Sequence, residues 1–353
     1  MTQNLIYACL TAFLMVIFSI PSILTIAKEK HLYDEPSERK RHVVKTPRLG
    51  GLAIFVSFIF AIALWGQFEK VKELQFILAA LLLLFFSGLK DDIIVIAPLK
   101  KLAAQVIASG IILFKTNLLI SSFHGVFGIH ELPLAVAYFI TLFTLIVVCN
   151  AYNLIDGADG LAGSLGLVVC VSFGSLFTIN NDLEWAMIAF TLAAALLGFL
   201  FYNFQPAKIF MGDAGSLIVG FMLALFSIHF LEMNIQNFGY TDRMNASPGM
   251  VIAILIVPLY DTLRIFILRI KQKKSPFHAD HNHLHHQLMK LGLNHRQIAL
   301  SLSFINIGFI VLAWLIQKHS AHSVTLVIGL TALVVGQIPV FVFRHHLNDK
   351  SEH

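Results

Sequence analysis

About eleven apolar runs, most of them long enough to cross a bilayer, leave this chain few folds to adopt. They lie near residues 5–26, 49–66, 75–89, 102–121, 132–149, 161–179, 184–202, 215–231, 249–270, 300–317 and 323–343. Of 353 residues, 57% are hydrophobic and only 13% charged, at a mean hydropathy of +0.79. A soluble domain carries about 25% charged residues, so here the bilayer takes the place of a soluble core. The expected fold is an all-α polytopic membrane protein with about eleven transmembrane helices, one integral-membrane domain over residues 1–353. The third run is short and the fourth carries Gly110, which softens both boundaries. The first run lacks a basic leader and a small-residue cleavage site, and reads as a retained span. Cys9, Cys149 and Cys170 fall in or at the ends of apolar runs, where cysteine acts as a small apolar side chain and not as part of a disulfide framework.

Orientation follows from the basic residues. With the N-terminus outside and the C-terminus in the cytoplasm, about 20 of the 25 Lys and Arg fall on the cytoplasmic side. Loop placement therefore explains the net charge of +5 without a nucleic-acid partner. The same orientation gathers the strongly polar clusters, residues 31–51, 90–101, 150–160, 203–216 and 271–286, at the cytoplasmic face. One shared face is what a single composite active site requires.

Among these clusters, Asn150 to Ala162 stands out, because it carries two carboxamides, two carboxylates and two glycines between two long apolar runs. Asp-Gly is a turn dipeptide, and Asp159 could simply cap the helix beginning at Leu161. That leaves Asn150 and Asn153, three apart on one helix face with Asp156 a step further on. Polar groups at membrane depth are costly and usually mark a site. Asp91 and Asp92 close the third run near Lys100 and Lys101. Such a pair could bind a divalent cation, position a phosphate or supply a base, and it could equally be a solvated helix end. Gly212-Asp213-Ala214-Gly215-Ser216 opens the eighth run, where free N–H groups and small residues admit a phosphate and Asp213 offers oxygen to Mg²⁺. A capped span would use the same residue types.

Five histidines lie between Ser275 and His286. Zinc is one reading, but neither Cys nor Glu accompanies them, and the adjacent His285 and His286 point to different faces of a helix. Phosphate contact is the favoured reading. The basic stretch from Glu38 to Gly51 serves membrane topology and anionic headgroups, or clamps a diphosphate. Asp261 and Arg264, three apart in the ninth run, read as a structural pair. Oxygen ligands, helix N-termini, Lys, Arg and His on one face point to Mg²⁺-assisted phosphate chemistry between a lipid and a soluble phosphorylated metabolite.

Five motifs occur in order: Thr46-Pro47-Arg48-Leu49-Gly50-Gly51, Asp91-Asp92, Asn150-x-x-Asn153-x-x-Asp156-Gly157-x-Asp159-Gly160-Leu161-Ala162, Gly212-Asp213-x-Gly215-Ser216 and His283-Leu284-His285-His286. Over residues 36–292 the chain resembles the polyprenyl-phosphate N-acetylhexosamine-1-phosphate transferases. The resemblance implies transfer of a sugar-1-phosphate from a UDP-sugar to undecaprenyl phosphate with release of UMP. That reaction starts a lipid-linked cell-envelope polysaccharide at the bacterial inner membrane. It implies Mg²⁺ as cofactor, with Mn²⁺ as a substitute, and leaves a homodimer open.

Carried over to this sequence, the resemblance makes Asp213 the metal ligand, with Asp156 and Asn203 beside the metal and diphosphate. Asp91 and Asp92 become the pair at the lipid-phosphate end, with Asp91 the better base, and Lys101 a phosphate contact. Asn153, Asp159 and Phe210 form a uridine pocket; Asn150 joins the substrate-binding set. His283, His285 and His286, with Lys45 or Arg48, hold the diphosphate or sugar. The His-Leu-His-His string after Ser275-Pro276-Phe277 resembles the branch that uses UDP-N-acetylglucosamine. The branch using UDP-N-acetylmuramoyl-pentapeptide is the alternative within the family, and a nucleotide-sugar transporter the alternative outside it. A transporter needs polar groups near the bilayer midplane, whereas here they collect at one end.

Overall fold

The computed structural model describes residues 2–32, 46–66, 69–236, 247–273 and 283–351. The first half of the chain supplies α1 (Thr2–Glu29), α2 (Gly50–Trp65), α3 (Leu74–Ile93) and α4 (Pro98–Lys115). A short antiparallel hairpin follows, β1 (Ser122–Val126) paired with β2 (Ile129–Glu131). Next come α5 (Leu134–Ile155), α6 (Leu161–Ile179), α7 (Leu183–Asn203) and α8 (Gly212–Gln236). The chain continues through α9 (Ser247–Ile254), α10 (Ile256–Lys271), α11 (Leu284–Lys290), α12 (His295–Ile316) and α13 (Ala321–Ser351).

Among the described residues, seven helices are long and apolar enough to cross a membrane, or eight if the bent pair α9–α10 counts as one span. Helices stand at every expected run, but α2 has only 16 residues, and α3 and α4 carry Lys90, Asp91, Asp92, Lys100 and Lys101 at the ends that face the site. The hairpin is absent from the sequence reading, which ran the fourth span to residue 121. Thr116 instead closes α4, and Gly125 and Gly128, both at positive φ, turn the chain back. Glu232 of α8 accepts from the Ser121 N–H and hydroxyl, anchoring the hairpin's entry.

At the centre stands α8. Its membrane-length window is 89% buried, against 17% for α1 and 22% for α13, so α8 is the axis and those two are the periphery. A helix apolar on every side has no solvent face to present, and the sequence of α8 meets that condition. Three neighbours approach it at glycine. A Cβ on Gly51 of α2 would lie 2.1 Å from the Gly215 nitrogen, and one on Gly88 of α3 would lie 2.6 Å from the Ala214 backbone. Gly220 of α8 itself packs against the Cys149 carbonyl of α5, where a Cβ would come within 2.8 Å. Small residues let helices approach this closely in lipid, where dispersion replaces the hydrophobic effect as the attraction between them.

The bend of 77° between α9 and α10 has a local cause. Pro258 has no N–H to give the Ile254 carbonyl, and that carbonyl accepts instead from Asn306 Nδ2 of α12 at 3.0 Å.

Gly88→Leu is expected to cost at least about 1–3 kcal/mol, as overpacking against backbone does. Gly110→Ala, whose Cβ would meet no described atom within 4 Å beyond its own helix backbone, should be neutral or gain about 0.5–1 kcal/mol from helix propensity. Thermal unfolding of the two variants in detergent checks this; equal melting temperatures would remove the close approach of α3 to α8 from the account.

Candidate active site

The N-terminus of α8 leaves backbone N–H groups without intrahelical partners. Asp92, at the end of α3, takes two of them. Its Oδ1 accepts from the Asp213 N–H at 2.7 Å and its Oδ2 from the Ala214 N–H at 2.9 Å. Asp156, just past α5, draws on the Gly212 N–H. Gly212 itself sits at φ +72°, with the Asp92 carboxylate where a side chain would stand. The loop before α2 is laid alongside: Phe210 donates its N–H to the Pro47 carbonyl, Gly50 to Phe210, and Gly51 to Met211. The Thr46–Gly51 motif is thereby fixed to the Gly-Asp-x-Gly-Ser motif by backbone hydrogen bonds.

Lys101, in the first turns of α4, reaches across this end of the bundle. Its ammonium contacts Asp91 Oδ2 at 3.2 Å and Asp213 Oδ2 more closely. Asp91 Oδ1 accepts from the Ile96 N–H at 2.7 Å, which fixes the turn between α3 and α4. Asn153 donates to Asp213 Oδ1 and, at 2.7 Å, to the Ser216 hydroxyl. Asp91, Lys101, Asn153 and Asp213, supplied by four different helices, thus form one hydrogen-bonded group.

The loop between α5 and α6 is the second half of the site. Buried Asn203 holds it, accepting from the Gly160 N–H at 2.9 Å and donating to the Ile209 carbonyl at 2.8 Å. Asp159 pairs with His295 Nδ1 at 3.2 Å and accepts from the Ala207 N–H. Burial works against its charge, but His295 and the Ala207 N–H outweigh burial and hold Asp159 below the usual carboxylate range. Against Gly157 lies His285, whose Nε2 would be 2.3 Å from any Cβ there. Both His285 ring nitrogens are buried and have no hydrogen-bond partner among the described residues. Burial first, then His286, pushes this imidazole down to about 3, so His285 is neutral at ordinary pH. Its ring lies parallel to that of His283 at 5.7 Å and tilted against His286 at 4.2 Å.

The structure therefore brings Asp91, Asp92, Lys101, Asn153, Asp156 and Asp213 together around the start of α8, with exposed Arg48 close enough to bias Asp92 and Asp156. Asn203, Asp159, Phe210 and the histidines flank them on the adjoining loops. Asn153, expected beside uridine, gives its amide to Asp213 and Ser216. Asn150 is engaged with Gln105 in a reciprocal amide pair between α4 and α5, at 2.6 and 3.1 Å. Lys45 and the histidines at 278 and 281 lie outside the described residues. Asp261, read as a partner of Arg264, gives its two oxygens to His283 Nδ1 and the Leu284 N–H. The sequence reading missed His295 as well, and with it Arg296, which lies over the Phe204 ring. Asp261 announced itself only as a carboxylate inside an apolar run, and His295 carried no local signal.

Burial, then the carboxylates of Asp213 and Asp92, push Asp156 up to about 7, against the pull of Arg48 and the Gly212 N–H. Acidic oxygens in such excess fit a divalent cation. Among the described residues no three side chains converge as a complete metal cage. Mg²⁺ in phosphate sites needs no such cage, since it takes one or two carboxylates and completes its shell with waters and substrate oxygens. Asp213 and Asp156 meet that requirement.

These features define a polytopic membrane protein with an acidic, lysine-bridged site at one end of its helix bundle. The family model for glycosyl transferase family 4 matches residues 74–231, from α3 to α8. A probable undecaprenyl-phosphate N-acetylglucosaminyl 1-phosphate transferase of Bacillus subtilis is 31% identical over 89% of this chain and 86% of its own length. A decaprenyl-phosphate N-acetylglucosaminephosphotransferase of Mycolicibacterium smegmatis is 33% identical over 93% and 84%. The undecaprenyl-phosphate alpha-N-acetylglucosaminyl 1-phosphate transferase of Escherichia coli K12 is 30% identical over 77% and 73%. The chain belongs to glycosyl transferase family 4.

Because folding raises Asp156 from 3.8 to about 7, the folded protein binds a proton there that the unfolded chain does not. The stability this contributes is complete below the unfolded value and is lost as pH rises through about 7. In EDTA the melting temperature should therefore fall between pH 5 and 8, and Asp156→Asn should flatten that fall. Added Mg²⁺ should stabilise the wild type more at pH 8 than at pH 5. An unchanged pH slope in Asp156→Asn would separate Asp156 from the acidic group.

Proposed function

We propose that this chain transfers N-acetylglucosamine-1-phosphate from UDP-N-acetylglucosamine to a polyprenyl phosphate, most simply undecaprenyl phosphate, and releases UMP. The observation that carries this reading is the Asp91–Lys101–Asp213 bridge at the N-terminus of α8. The names of the relatives from B. subtilis, M. smegmatis and E. coli support the acceptor and the sugar. In the reaction, an oxygen of the lipid phosphate attacks the sugar-bearing phosphorus of the donor. The new P–O bond forms as the bond to the UMP oxygen breaks, and UMP leaves with that electron pair.

Such catalysis is positioning and charge neutralisation more than covalent work by the protein. Asp213 and Asp156 would hold Mg²⁺, or Mn²⁺ in its place, which when bound neutralises the diphosphate. Lys101, between Asp91 and Asp213, supplies a mobile positive charge to the transferring group. Asp91, oriented by the Ile96 N–H, stands on the acceptor side and can take a proton from a singly protonated lipid phosphate. Asp92 keeps the α8 N-terminus in place, and Asn153 holds Asp213 in one rotamer. His286, and Arg48 from the α2 side, face the donor diphosphate, with neutral His285 packed behind them against Gly157; Asp159 and Phe210 line the nucleotide side.

We place the site at the cytoplasmic face of a bacterial inner membrane, in a single domain of about eleven spans, counting the shorter apolar helices, with the N-terminus outside. The positive-inside distribution supports this orientation.

Purified protein with undecaprenyl phosphate and Mg²⁺ should release UMP from UDP-N-acetylglucosamine and not from UDP-N-acetylmuramoyl-pentapeptide, and EDTA should stop it. Asp213→Asn and Asp91→Asn should each lower turnover by at least about a hundredfold, as removal of a charge-stabilising group does, with melting temperature retained. UMP from the pentapeptide donor alone would move the chain to the other branch. Wild-type turnover by either variant would overturn the site assignment.

A further inference from the structure

His285, packed against Gly157, has no side-chain hydrogen bond among the described residues to hold it. His285 belongs to α11, a helix of seven residues, too short to be stable without tertiary anchors. Its N-terminal anchor is Asp261, which sits on α10 beyond the bend at Pro258 and is 2% exposed. One oxygen of Asp261 accepts from the Leu284 N–H at 2.8 Å, which fixes the start of α11. The other meets His283 Nδ1, also at 2.8 Å, in a pair buried on both sides. His283 lies flat beside His285, and His285 in turn fills the space over Gly157, between Asp156 and Asp159. An unbroken chain of contacts thus runs from α10 to the loop that carries two of the site's carboxylates. A carboxylate at this depth is costly unless it is paired, and here both of its oxygens are used on one short element.

We propose that Asp261 is a positioning residue for the donor half of the site. By gripping Leu284 and His283 it sets α11, and through α11 it seats His285 against Gly157, holding the loop of Asp156 and Asp159 on the donor side. Asp261 touches neither substrate. The proposal rests on the transferase reading for its kinetic consequence, and on the structure alone for the linkage between Asp261 and α11. Because Lys101 and Asp91, the acceptor side, share no contact with Asp261 in this chain of residues, the effect falls on the donor.

The test compares Asp261→Ala and Asp261→Asn with the wild type, and with Glu232→Ala as a control at the opposite end of α8. Asp261→Ala should raise the KM for UDP-N-acetylglucosamine by at least about tenfold, the scale of one lost hydrogen bond to a charged group, and leave the KM for undecaprenyl phosphate unchanged. Asp261→Asn keeps an oxygen for the Leu284 N–H and an amide for His283, and should recover most of that loss. Glu232→Ala should lower the melting temperature without altering the donor KM. Amide hydrogen exchange of residues 284–290 is measured on the same proteins and should speed up in Asp261→Ala only. Equal loss toward both substrates, or no change in donor KM, would sink the positioning role. If the wild type releases no UMP, the transferase reading fails on its own. Hydrogen exchange then decides: faster exchange of α11 in Asp261→Ala upholds the linkage, and unchanged exchange overturns it.

Discussion

Two hydrogen bonds that the Asp92 carboxylate accepts from the first turn of α8 hold the functional end of this protein together. Bare N–H groups at a helix start carry partial positive charge, and α8 is sealed from water on every side over most of its length. Something anionic has to satisfy that end. Asp92 does so from α3 and Asp156 from the loop after α5, and the glycines at 51 and 88 let α2 and α3 come close enough for this to happen. Without those glycines the carboxylates would be held off by side-chain bulk, and the same N–H groups would be left unsatisfied in an apolar medium.

Once Asp92 is committed to the helix, the remaining groups sort themselves. Asp213 is carried by the first turn of α8, and the helix that places it cannot neutralise it fully. Lys101 shares its charge between Asp213 and Asp91, and Asn153 donates to the other Asp213 oxygen. Asp156 is left with burial and two neighbouring carboxylates against it, and its proton is held up to about 7. An excess of acidic oxygen, with one mobile ammonium inside it, suits a site that must accept a cation together with an anionic diphosphate. The fixed donors are in place before either arrives, so little reorganisation is needed when they do.

Much of this was legible in the sequence, and the reasons differ by residue. Helices stand at the apolar runs because a long apolar stretch can satisfy its backbone only within itself, but among the described residues only seven or eight of them reach membrane length. The motif residues around 91, 153, 156 and 213 do converge, because each closes or opens a helix at the same end of the bundle. The hairpin at 122–131 went unseen, since its five- and three-residue strands carry no periodicity and its anchor, Glu232, is a hundred residues away. The bend at Pro258 was hidden inside a continuous apolar run. Asp261 was seen as a charge and given a partner on its own helix, while its hydrogen bonds to His283 and Leu284, beyond an intervening loop, went unseen. Local spacing reports neighbours along one helix and is silent about which other helix supplies a partner. Asn150 illustrates the same limit: its position suggested a substrate contact, and its amide is engaged with Gln105 of α4.

The most direct measurement of the proposed chemistry follows the two donor phosphates separately. UDP-N-acetylglucosamine labelled in the sugar-bearing phosphate, and in a parallel sample labelled in the uridine-bearing phosphate, is supplied with undecaprenyl phosphate and Mg²⁺. The expected result is that the first label moves into the organic-extractable lipid in step with UMP, while the second stays in water as UMP. Lipid that gains sugar without the first label, or nucleotide that is moved or hydrolysed with no label entering lipid, would contradict transfer of a sugar-1-phosphate at this site.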